Sequence, residues 1–374
     1  MPFFDTQIRD LARLEEQSRL RRLIPRAGRD FSSNDYLGLA GSARLARAVS
    51  EAIGGGVPLG SGGSRLLRGN HEVHEALEDE AARLFGSESA LFFSTGYAAN
   101  AALLSTLPQR GDMVVHDALV HASTHEGLKL GRAEHRAVTH NDPGAFADAI
   151  QAWRSAGGTG RVWIAVESLY SMDGDIAPLA ELAELAARHD AYLLIDEAHA
   201  TGVFGPDGRG LAAAYDGAEN VITLRTCGKA LGCEGALLFG PKVMRDFLIN
   251  RGRAFIFSTA PSPLMAAAVR EALRVLVDEP ERRTRLHALI NTAQRLLVPH
   301  GATTTGSQIV PIILGDEVRT MRAAEQLQAT GFDVRGIRPP TVLSGTSRLR
   351  VSLTLNIGEN DVAALSDALR ETLA

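Results

Sequence analysis

The chain has 374 residues, too long for one core of ordinary size and suited to a large domain with a smaller one. Hydrophobic residues make up 45% and charged residues 22%, which argues against disorder, and a formal charge of -5 gives no basic field for nucleic acid, so small molecules are the expected partners. Cys227 and Cys233 are the only cysteines, too few for a disulfide framework, and free thiols in a reducing cytoplasm are expected.

The first 22 residues are charged throughout, and no later stretch approaches ~20 uninterrupted apolar residues, so neither a signal peptide nor a membrane span is expected. Residues 5–24 place Ile8, Leu11 and Leu14 at helical spacing and end at Pro25, which predicts an amphipathic helix packed on a neighbour. A glycine-rich stretch runs from Gly54 to Gly69. A helical pattern from His71 to Phe85 then leads into the apolar run Ala90–Phe93. Val162–Val166 and Tyr192–Ile195 have strand length and composition, and Pro178–Arg188 between them carries Leu179, Leu182 and Leu185 at helical spacing. That is a βαβ unit. Val221–Leu224 and Ala236–Phe239 continue it, so the middle of the chain is expected to be α/β, a mostly parallel sheet covered by helices. Beyond about Pro263 the helices are more charged, and Ile309–Leu314 and Leu349–Leu353 predict a separate α+β domain. The expected organisation is an N-terminal helix and arm over 1–40, a large domain over 41–265 and a small domain over 266–374.

Three segments can carry chemistry. Ser94–Asn100 follows a strand and opens a helix, where free amides, a glycine and hydroxyls suit a phosphate, although the same residues suit a plain helix cap. Asp196 ends the strand-like run Tyr192–Ile195, at the edge where open α/β sheets bind ligands. A buried carboxylate there needs a cation, such as a protonated pyridine nitrogen, unless it only caps the next turn. Lys229 follows Val221–Leu224 among small residues. Gly228-Lys229-Ala230 lacks the glycine spacing of a nucleotide phosphate loop. Only Lys129, Lys229 and Lys242 are lysines among 39 basic residues; Lys129 reads as exposed on a helix and Lys242 as part of a Gly-Pro-Lys turn, so Lys229 is favoured for Schiff-base chemistry. His71 with His74, and His121 with His125, lack the spacing or the acidic third ligand of a zinc site, and no metal is expected.

Taken in order, Phe31–Leu39 (FSSNDYLGL), Gly60–Arg65 (GSGGSR), Ser94–Asn100 (STGYAAN), His121–Ser123 (HAS), Ser171–Asp175 (SMDGD), Asp196–His199 (DEAH) and Thr226–Lys229 (TCGK) resemble the α-oxoamine synthases. These are fold-type I pyridoxal-phosphate enzymes that condense an amino acid with an acyl-CoA. The resemblance runs from about Arg21 to the C-terminus, and it implies pyridoxal 5'-phosphate as cofactor. It makes Lys229 the lysine that bonds the cofactor, Asp196 the acid that keeps the pyridine nitrogen protonated, and His121 the imidazole stacked on the ring. Ser171 and His199 match groups that hydrogen-bond the cofactor, His199 at its phenolic oxygen. Gly96, Tyr97 and Thr226 match phosphate contacts, with Thr259 reaching across from a partner subunit in a homodimer with shared sites.

Ile337–Val342 and Arg348–Arg350 are similar to the branch of the family that joins L-alanine to a pimeloyl thioester, of coenzyme A or a carrier protein, in biotin biosynthesis. Arg350 then matches the arginine that grips the amino-acid carboxylate, and Arg21, Asn34, His121 and Thr341 match other substrate contacts. A sister activity using glycine and an acetyl donor is the alternative. The chain departs from the family pattern in a shorter stretch between Pro25 and Phe31, in the cysteines flanking the lysine turn, and in Leu353–Asn356, where an ending with histidine is common.

Overall fold

Apolar runs at regular spacing become a seven-stranded sheet in the computed structural model, which describes residues 3–374. The strands are β1 (Ser89–Phe93), β2 (Met113–Asp117), β3 (Glu134–Val138), β4 (Val162–Glu167), β5 (Tyr192–Asp196), β6 (Val221–Thr226) and β7 (Ala236–Gly240). Their spatial order is β1-β7-β6-β5-β4-β2-β3. Strands β2 to β6 are parallel to one another, and β7 runs antiparallel to β6 and β1. The chain leaves β2 for β3 on one side and returns to β4 on the other, so the order reverses there, where the carboxyl ends of open α/β sheets receive ligands.

Helices cover both faces, which is why the central strands read as continuous apolar runs. On one face Ile164, Val166, Leu193 and Ile195 pack with Phe146 and Trp153 of Pro143–Ser155 and with Leu182 and Leu185 of Leu179–Arg188. On the other, Ala165, Leu194, Ile222 and Leu224 pack with Leu103 and Leu104 of α1 (Gly96–Thr106) and Leu128 of α2 (Ala122–Leu130). Each such aliphatic side chain contributes about 1.5–3 kcal/mol by leaving water.

The chain divides into two compact units. The larger holds residues 37–171 and 176–283 and includes this sheet. The helix Pro263–Asp278 packs on Ala43–Gly54 and Glu72–Phe85 within it, beyond the point where the rise in charge places a boundary. The smaller unit holds, of the described residues, 3–36, 172–175 and 284–374. In it β8 (Ile309–Gly315), β9 (Arg335–Ile337) and β10 (Ser347–Ser352) form an antiparallel sheet in the order β9-β10-β8, and Arg29–Asp30 pairs in parallel with Phe332–Asp333.

The helix expected over 5–24 is shorter, Asp5–Glu16, because Ser18 turns into the left-handed region with φ 56° and ends the repeat. It buries none of its residues. Among the described residues no helix is long and apolar enough to cross a membrane.

Candidate active site

The carboxyl edge of the larger sheet gathers the residues that the sequence singles out there. Helix α1 begins directly after β1, and Thr95 caps it by accepting the Ala98 amide at 3.0 Å. The cap reading of this segment therefore holds. A Cβ on Gly96 would lie in ordinary contact with Thr226 Oγ1, at 3.6 Å, so two phosphate candidates 130 positions apart are neighbours. Tyr97 is exposed and stands edge-on to His121, with ring centroids 6.5 Å apart.

Asp196 ends β5 half-buried. Its Oδ2 accepts Asn100 Nδ2 at 2.8 Å and its Oδ1 accepts the Ala198 amide at 2.9 Å, so it does cap the following turn. Two donors fix the carboxylate and leave further acceptor capacity. Asn100 also donates to Ser123 Oγ at 3.0 Å, and Ser123 Oγ lies 2.8 Å from His121 Nδ1. Partial desolvation, opposed by Asp196 and aided by the Lys229 charge, lowers His121 from the ordinary imidazole value, which favours the uncharged ring. Lys229, on the loop after β6, is half-buried with Nζ 2.7 Å from Nε2 of buried His199. Ser171 gives its backbone amide to Glu167, the last residue of β4. Asn100 and Ser123 lie in segments that the sequence singles out but without a role of their own, and Glu167 is an addition that sequence reasoning missed. Asn100 carried one usable signal, since it lies one helical turn beyond Gly96 and so shares its face.

The other two lysines stand apart. Lys129 is exposed in the last turn of α2, and Lys242 opens the helix Lys242–Arg251, rather than lying in a turn, with its amide bonded to Glu88. His71 and His74 serve as helix caps. His71 accepts the Val73 amide, and His74, pushed down to about 4 mainly by burial, accepts the His71 amide and lies 2.8 Å from the Pro261 carbonyl. Thr259 is exposed, on a cavity wall shared with Ser94. Cavities of about 420 Å³, beside Arg65 and Glu78, and about 650 Å³, beside Arg136 and Asp148, contain none of these site residues; chemistry rather than volume marks the site.

The substrate candidates other than His121 lie in the smaller unit and pair there. Arg21 donates to Thr341 Oγ1 at 3.1 Å, and Arg350 donates to Asn34 Oδ1 at 3.2 Å and to Ser352 Oγ at 2.6 Å. The Tyr36 hydroxyl donates to the same Asn34 oxygen at 3.0 Å. Arg350 is buried on β10, while neighbouring Arg348 is ion-paired with Asp173.

Glu197, next to Asp196, is fully buried and accepts the Ala212 amide. It packs on Gly210, φ 97°, where a Cβ would collide with its carboxylate at 1.5 Å. Burial, opposed by Arg225, raises its pKa to about 7. An acid whose folded pKa lies above its unfolded value costs stability as it ionises. The cost is absent below pH ~4.5, grows as pH rises to about 7 and is constant above. Glu197→Gln should therefore gain on wild type by up to about 3 kcal/mol between pH 4.5 and 7.5, read by urea unfolding at both pH values. An equal difference at both would show that the carboxyl ionises normally.

A lysine amine at the end of one parallel strand, an anchored carboxylate at the end of the next and a capped helix start beside them define the class of pyridoxal-phosphate enzymes built on the aminotransferase sheet. The model of the family "Aminotransferase class I and II" matches residues 28–366. An 8-amino-7-oxononanoate synthase of Burkholderia thailandensis is 42% identical over 91% of this chain and 87% of its own. Among solved structures, a serine palmitoyltransferase from S. paucimobilis with bound PLP and myriocin superposes with TM-score 0.89 at 26% identity, covering 99% of this chain and 97% of that one. An 8-amino-7-oxononanoate synthase from Francisella tularensis gives 0.77 at 26%, covering 92% and 98%. The chain belongs to the aminotransferase class I and II family and, within it, to the 8-amino-7-oxononanoate synthases.

Proposed function

We infer that the chain binds pyridoxal 5'-phosphate and condenses L-alanine with a pimeloyl thioester, releasing carbon dioxide and the thiol, to form 8-amino-7-oxononanoate for biotin. The observation that carries this reading is the Lys229 amine held 2.7 Å from His199 on the loop after β6, with Asp196 at the end of adjacent β5. The donor set fits the cofactor: one amine, one anchored carboxylate, an imidazole and the open amides of a helix start.

When bound, the cofactor supplies an electron sink for the carbon that loses a proton. The first amides of α1, with Thr226 and Tyr97, would hold the phosphate through fixed dipoles. Asp196 would hold the proton of the ring nitrogen, His121 would pack on the ring, and His199 and Ser171 would hydrogen-bond the phenolic oxygen. Lys229 would be the amine that holds the cofactor and the base that moves the α-proton of alanine. Arg350 with Asn34 holds the alanine carboxylate, Arg21 and Thr341 make further substrate contacts, and Thr259 of a second subunit completes the phosphate site in a homodimer.

Purified protein given PLP, L-alanine and pimeloyl-CoA should release carbon dioxide and the keto-amine product. Turnover with glycine and acetyl-CoA alone would reassign it to the sister activity. Arg350→Ala should raise the alanine dissociation constant by about 10–100-fold, the ~1.5–3 kcal/mol of hydrogen bonds to a charged group. Cofactor binding should not change. Lysine at 350 should restore only part, since it lacks the planar fork. A wild-type constant in the alanine variant would move the role to Arg338.

A further inference from the structure

Two carboxyl groups stand side by side where the larger sheet ends. Glu167 closes β4 and Asp196 closes β5, and the two are register partners in a parallel pair. Register partners project from the same face, and neighbouring strands lie only about 4.8 Å apart. That face is covered by α1 and α2, and the residues two positions earlier, Ala165 and Leu194, are buried in its apolar cluster. The two acids are supplied unequally. Asp196 accepts both the Asn100 side chain and the Ala198 amide. Glu167, only 3% exposed, receives the Ser171 amide, and its Oε1 has no hydrogen-bond partner.

The groups facing Glu167 are Asp196 on β5, Asp117 at the end of β2 and Lys229 on the loop after β6. Burial works against ionised Asp117, but His140 and the Asn141 and Leu119 amides hold it below the usual carboxylate range, so it is a second fixed negative charge. For Glu167 burial dominates and Asp196 adds to it, while Lys229 and the Ser171 amide work the other way. The result lies well above the ordinary carboxylate value. Adjacent carboxyls in a water-poor site do not both ionise.

We propose that Glu167 is a positioning residue that stands un-ionised beside Asp196, so that the two adjacent carboxyls do not add a second negative charge to the site. A second charge at Glu167 would strengthen the hold of Lys229 on its proton and weaken it as a base. The role toward Lys229 rests on the pyridoxal-phosphate reading above; the protonation of Glu167 does not.

The test compares wild type with Glu167→Gln, a neutral isostere, both incubated with PLP, by infrared difference spectroscopy at pH 7.5 in H2O and D2O. The expected loss is the carbonyl stretch of an un-ionised carboxylic acid, shifted by deuterium. Loss of carboxylate stretches instead overturns the proposal. Glu167→Asp, which keeps an acid, should retain the band and serves if the glutamine variant does not fold. The second readout is the pH midpoint of the cofactor absorbance. A neutral-for-neutral exchange should leave it within about 0.3 pH unit, whereas removal of a true negative charge would lower it by about a unit or more. A protein that takes up no PLP defeats the cofactor reading, yet the infrared result still decides the state of Glu167.

Discussion

Lys229→Ala is expected to abolish turnover and covalent cofactor attachment while leaving the fold intact. Lys229 is half-buried on a loop, and its contact with His199 at 2.7 Å concerns a site rather than a core, so its removal should shift the melting temperature by only a few degrees, about 1 kcal/mol or less. The two other lysines cannot substitute. Lys129 lies in the last turn of α2 facing solvent, and Lys242 opens a helix with its backbone tied to Glu88. Loss of a positioned general base alone costs on the order of 10²–10⁴-fold in rate, and loss of covalent attachment adds to it. Borohydride reduction of PLP-treated wild type, followed by peptide mapping, should mark Lys229. A mark on Lys129 or Lys242, or turnover in the alanine variant, would remove Lys229 from the chemistry.

How much of this was legible in the chain depends on how local each signal was. β4, β5, β6 and β7 announce themselves because strands buried on both faces need unbroken apolar runs. β3 does not: it is an edge strand reading Glu134-His135-Arg136-Ala137-Val138, largely exposed, so nothing forces it to be apolar. β2 mixes Met113, Val114 and Val115 with His116 and Asp117, two polar residues that are tolerated in the interior through the Asp117 carbonyl and through His140. The N-terminal helix was overread in length because leucine spacing carries no information about the left-handed turn at Ser18.

The site follows the same rule. Lys229, Asp196 and Ser94–Asn100 each sit where a strand ends, and strand ends can be read from one sequence. The buttresses cannot. Asn100 reaches Asp196 across 96 positions, and Glu167 matters only because the register of β4 on β5 sets it beside Asp196. Arg350 and Asn34 join across 316 positions, a pairing that family resemblance anticipated as common contact with substrate rather than as a hydrogen bond. The two readings of Asp196, cap and cofactor acid, seemed exclusive in sequence; its two oxygens make them compatible, since Oδ1 caps while Oδ2 takes Asn100.

Asp196→Asn tests that division of labour. The substituted side chain keeps its shape and can still accept the Ala198 amide, so the turn after β5 should survive and the protein should fold. Its second terminus becomes an NH2 group facing the Asn100 NH2 that wild-type Oδ2 accepts at 2.8 Å, and two donors cannot share that contact. Either Asn100 turns its amide over and abandons Ser123, or a buried donor is left unmet, at about 1–3 kcal/mol. The first outcome loosens the Ser123 contact that places His121. The larger effect is electrostatic. A neutral amide cannot hold a proton on a pyridine nitrogen as a carboxylate does, and a preorganised charge of this kind contributes on the order of 10²–10³-fold to rate. Turnover should fall by at least that factor, and PLP affinity should weaken by about tenfold, the ~1.4 kcal/mol of one weakened charge-assisted contact. Stopped-flow turnover with L-alanine and pimeloyl-CoA, alongside PLP titration of the cofactor-free protein, reads both quantities. Near wild-type turnover would reduce Asp196 to a turn cap, and unchanged PLP affinity with lost turnover would confine its charge to the chemical step.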